Sequence, residues 1–90
     1  MARLPLNFDD QPPLPCARAQ TAWQVLLRQV NGGATKAVVH DYYQQGKGFI
    51  HALDVAEVIV TTEEHVMSAT LLHAWIDALE RLDDAAEAVL

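Results

Sequence analysis

The run Val58-Ile59-Val60-Thr61-Thr62 restricts the fold more than any other feature of the chain. Five β-branched residues in a row lose side-chain freedom in a helix and suit a strand. The run leads without a spacer into "TTEEH", where Thr61 and Glu64 have the S/T-x-x-E spacing of a helix capping box. A helix ending at Val60 would meet the next helix with no connecting residue, whereas helix–helix links usually take about 2–8 residues. A strand over 57–61 running straight into a capped helix avoids that conflict.

Both flanks of this region read as helix. Over 16–31, Ala19, Trp23, Leu26 and Val30 recur at helical spacing, widened by Ala22 and Leu27. Pro15 suits the start, and Asn31-Gly32-Gly33 suits a stop in which glycine takes a left-handed conformation. A second helix is expected over 62–83, with an apolar seam of Leu72, Trp75, Leu79 and Leu82 and with Ala78, Ile76 and Leu71 beside it. Between them, "VVHDYY" and "GFIHAL" flank "QQGKG" as two strands flank a glycine-containing hairpin loop. The strands are expected at 36–44, 48–53 and 57–61. The expected fold class is therefore α+β: a three-stranded antiparallel sheet with two amphipathic helices on one face, in the order α-β-β-β-α. The alternative is an all-α four-helix cluster, since Val38, Val39, Tyr42 and Tyr43 also share a helical face.

Prolines 5, 12, 13 and 15 exclude helix from residues 1–15. Leu4, Leu6 and Phe8 alternate there as in an extended arm, so residues 16–90 are expected to form the single globular domain. A chain of ninety residues buries only about 60–65% of the surface its unfolded form exposes, which predicts modest stability. No apolar run is long enough to cross a bilayer, and no signal-peptide pattern opens the chain. A cytoplasmic location is expected. Cys16, the single cysteine, cannot form an internal disulfide.

Charge separates along the chain. Residues 1–53 carry five basic against three acidic side chains; residues 54–90 carry Arg81 alone against nine carboxylates. Nucleic-acid binders cluster Lys and Arg to neutralise phosphates. Scattered basic residues and an acidic end disfavour direct binding to nucleic acid or an anionic membrane.

The catalytic motifs are incomplete. "GKG" lacks the spacing and the Ser/Thr of a phosphate-binding loop. No nucleophile elbow surrounds Ser68, and no HExxH is present. His40, Asp41 and His51 make a zinc set only if the two histidines face each other across a hairpin, which would give a small metal-dependent hydrolase. The preferred expectation has no catalytic residue, metal or cofactor: a non-catalytic protein-binding module acting as an assembly factor, regulatory subunit, adaptor or inhibitor. It would dock through Tyr42, Tyr43, Glu63, Glu64, Asp77, Glu80, Asp83 and Asp84, and a homodimer would form through the open sheet face or edge strand. The alternative is an acidic inhibitor that imitates nucleic acid at a basic site of its target.

Overall fold

The computed structural model describes Gln11, Leu14 and residues 16–89, with the side chains of 86–89 excepted. The arm expected over 1–15 lies outside the described residues, apart from Gln11 and Leu14. Three helices make up the described fold: α1 (Ala17–Gly32), α2 (Lys36–Val55) and α3 (Thr61–Val89). Each packs against both others. The chain runs up, down and up, so Arg81 late in α3 lies at the C-terminus of α1, where its guanidinium donates to Asn31 O (3.0 Å) and Gly33 O (2.6 Å).

The expected sheet is therefore replaced by helix. The segments expected as strands at 36–44 and 48–53 are one helix, and no strand occurs among the described residues. The α+β class, the open sheet face and the dimer built on either do not apply. The all-α alternative fits, with three helices in place of four.

Tertiary packing decides the conformation of residues 36–55. Val39, Tyr43, Gly46, Ile50 and Leu53 recur at alternating steps of four and three, the seam spacing of packed helices. Val39 and Ile50 are core residues, and Tyr43 and Leu53 pack on that core. Gly46 and Gly48 each cost about 1 kcal/mol of helix propensity relative to Ala. At Gly46 the cost has a return. A β-carbon there would lie 2.7 Å from Leu71 Cδ1, so glycine lets α2 and α3 approach closely. Thr35 starts the helix, its hydroxyl accepting from the Val38 N–H at 3.2 Å.

The β-branched run splits between a loop and a helix start. Helix α2 stops at Val55, leaving five residues, Ala56–Val60, for the link. Glu57 N–H donates to Asp54 O and Val58 N–H to Leu53 O, both at 3.0 Å, which is a Schellman closure. Glu57 takes the left-handed position itself, with φ 58°. Ile59 then turns into the core, while Val58 and Val60 stay exposed.

The two expected glycine turns are corrected as well. No described glycine has positive φ. Gly33 is extended, and its role is steric: a β-carbon would fall 2.6 Å from Val39 Cγ2.

Helix α3 starts one residue earlier than its motif implies. Val60 occupies the capping position: its carbonyl accepts from Glu64 N–H, and its N–H donates to Glu63 Oε1, both at 2.9 Å. This is half of a capping box, made by Glu63 in place of Glu64, since valine has no oxygen to return the bond. The buried seam also shifts, to Met67, Leu71, Ala74 and Ala78, leaving Leu72 39% exposed. Trp75 and Leu82, expected in the seam, pack at its edge. Helix α1 buries Trp23, Leu27 and Val30. A bridge ties Gln11 across the bundle: Trp23 Nε1–H donates to Gln11 Oε1 (3.1 Å), and Gln11 Nε2 donates to Thr70 Oγ1 (2.9 Å). Leu14 is buried beside it.

Candidate functional site

Helix α2 separates two clefts, and neighbouring tyrosines point into different ones. Successive residues of a helix are turned by about 100°, so Tyr42 faces α1 and Tyr43 faces α3. Tyr43 stacks on Trp75, with ring centroids 4.8 Å apart and planes 19° from parallel. Lys47 lies one turn on, its ammonium 5.8 Å from the Tyr43 ring centroid.

The α1–α2 groove has a volume of about 420 Å³. Val25, Arg28 and Gly32 of α1 form one wall, and Val38 and Tyr42 of α2 the other. Val25 is 42% exposed and Val38 38%, and both are large apolar side chains. A hollow of about 350 Å³ over α1 continues from it through Val25 and Arg28, adding Gln20 and Thr21. The α2–α3 cleft is smaller, about 200 Å³, and is lined by Tyr43, Lys47, Ile50, His51, Glu64, Ser68 and Leu71.

The acidic residues divide by helical position. Glu63 bonds the start of α3, and Glu64 lines the α2–α3 cleft. Glu80 and Asp84 are exposed on the side of α3 away from the buried Leu71, Ala74 and Ala78, whereas Asp77 is half-buried. Asp83 pairs with Lys36 at 2.7 Å, between side chains that are both mostly exposed. The expected docking residues thus do not form one surface.

The zinc set is not assembled. His40 and His51 stand eleven residues apart on one helix, which separates them by about 16 Å along its axis. Among the described residues no group of three His, Cys, Asp or Glu side chains is placed to hold a metal ion. No described helix is long and apolar enough to cross a membrane. Cys16 is exposed at the start of α1, its sulfur accepting from the Ala19 N–H at 3.4 Å.

Sequence reasoning named neither Val25 nor Arg28 as a binding residue, and weighed Ser68 only as a nucleophile. The first two carry a readable signal, since they lie on the α1 face opposite the expected stripe. Ser68 gains meaning only when α3 is laid against α2. Compared with protein-family models, curated proteins and solved structures, the chain shows no significant match.

Proposed function

We propose that this protein is a non-catalytic protein-binding module whose α1–α2 groove receives an amphipathic helix with acidic flanks. The observation that carries this reading is the pair Val25 and Val38, exposed on facing helices above one groove, with Arg28 on its wall. Helix-in-groove recognition uses such a surface: the partner's apolar face fills the groove and charges at the edge set its orientation. Arg28 is the charged side chain among the residues lining the groove, so an acidic flank on the partner is favoured there. A cytoplasmic location belongs to the same proposal.

A second reading has its own support. Glu80 and Asp84, exposed on α3, suit a basic target, as an inhibitor imitating nucleic acid would require. The two readings part in one NMR titration. Two helical peptides share apolar residues at i, i+4 and i+7, one flanked by Glu and the other by Lys. The proposal expects the Glu-flanked peptide to shift the amides of Val25, Val38 and Tyr42. Exclusive binding of the Lys-flanked peptide along Glu80–Asp84 would favour the inhibitor instead.

A further inference from the structure

We propose that the α2–α3 cleft is a binding site for an amino-acid-sized zwitterion. Two short ladders of polar side chains face each other across it. On α2, Tyr43, Lys47 and His51 follow at i, i+4 and i+8; on α3, Glu64 and Ser68 follow at i and i+4. The α2 wall thus offers donors and a cation, and the α3 wall a carboxylate and a hydroxyl. No hydrogen bond or ion pair joins Lys47, His51, Glu64 and Ser68 to one another. The floor is apolar, made by Ile50 and Leu71 of the core.

This arrangement selects ligand chemistry by charge, size and polarity together. A carboxylate meets the Lys47 side and an ammonium meets Glu64, so a ligand carrying both matches both walls. A simple anion would leave Glu64 facing like charge, and a simple cation would do the same to Lys47. The volume of about 200 Å³ equals that of about six or seven waters, so the ligand has roughly that many heavy atoms. A short aliphatic side chain would rest on Ile50 and Leu71. The cleft owes its form to Gly46, which brings the Leu71 side chain against α2. The inference is independent of the groove on the other side of α2.

The test is titration of the full chain with L-valine, followed by amide NMR and calorimetry. Acetate, L-valine methyl ester and N-acetyl-L-valine serve as controls that each lack one charge. The expected result is saturable binding of L-valine, with shifts at Tyr43, Lys47, His51, Glu64 and Ser68. Each control should bind at least about tenfold more weakly, as loss of a charged hydrogen bond implies. Lys47→Met and Glu64→Gln should each weaken L-valine by about tenfold or more while leaving the thermal unfolding midpoint in place. Absence of saturable binding, shifts elsewhere on the surface, or controls that bind as tightly as L-valine would each overturn the proposal.

Discussion

Tyr43 lies stacked on Trp75 across the α2–α3 contact, with ring centroids 4.8 Å apart. Its neighbour Tyr42 opens onto the groove on the other side of the same helix. Both tyrosines pack on the core, but only Tyr43 also stacks on Trp75. Tyr43→Ala removes a half-buried ring and its stacking partner's contact, and should cost about 2–3 kcal/mol. Tyr42→Ala should cost clearly less and abolish binding at the groove. Urea unfolding of the two variants checks the ordering; equal losses would contradict it.

The link between α2 and α3 contains two positions occupied by unfavourable residues. Glu57 sits at φ 58°, where a side chain is strained and glycine is not. Glu57→Gly should raise stability by about 0.5–1 kcal/mol, whereas Glu57→Ala should not. Val60 stands where a capping oxygen is wanted and is 63% exposed, so little packing is lost on replacing it. Val60→Ser would complete the capping box with Glu63 and should add about 1 kcal/mol. Thermal melts of the three variants read these signs directly.

Gly46 and Gly48 lie two residues apart in α2 and should respond oppositely to alanine. At Gly48 a β-carbon meets nothing within 4 Å, so Gly48→Ala should gain about 1 kcal/mol of helix propensity. At Gly46 the β-carbon would press on Leu71, itself buried. Overpacking there should outweigh the propensity gain and cost about 1–2 kcal/mol net. Chemical denaturation midpoints moving in the same direction for both would refute the close-approach account of Gly46.

Arg81 replaces the missing basic residue at the end of α1 by reaching across from α3. Its charge faces the negative end of the α1 dipole while its guanidinium satisfies two carbonyls. Arg81→Met should cost about 1–2 kcal/mol and speed hydrogen exchange in the last turn of α1. Lys36→Met breaks an exposed ion pair with Asp83 and should cost less than about 0.5 kcal/mol. Comparable losses in the two variants would show that the Arg81 contacts are no more than surface charge.

The flanking helices were legible in the sequence because their apolar residues recur at helical spacing over many turns, although the details of their ends were not. Helix α2 was not, for a physical reason: glycine occupies the middle of its seam. Read with Gly46 as a packing residue, the pattern Val39, Tyr43, Gly46, Ile50, Leu53 is regular, and Thr35 is a proper cap. Read with Gly46 as a turn, it breaks in two. The run at 58–62 misled in a related way, since β-branched residues tolerate an extended loop as well as a strand. The reversal at Glu57 carried no glycine to announce it. Tyr42 and Tyr43 were recognised as residues of interest, but their division between two clefts follows from helical geometry and could not be read from a hairpin.

The most direct test of the central proposal is site-specific photo-cross-linking in the cell of origin. A benzophenone residue is placed at Val38, within the groove, or at Asp84, on the outer side of α3. The groove reading predicts a defined protein adduct from position 38 that disappears when Val25→Asp is added, while the fold, followed by circular dichroism, is retained. An adduct formed from position 84 alone, or one from position 38 that survives Val25→Asp, would contradict it.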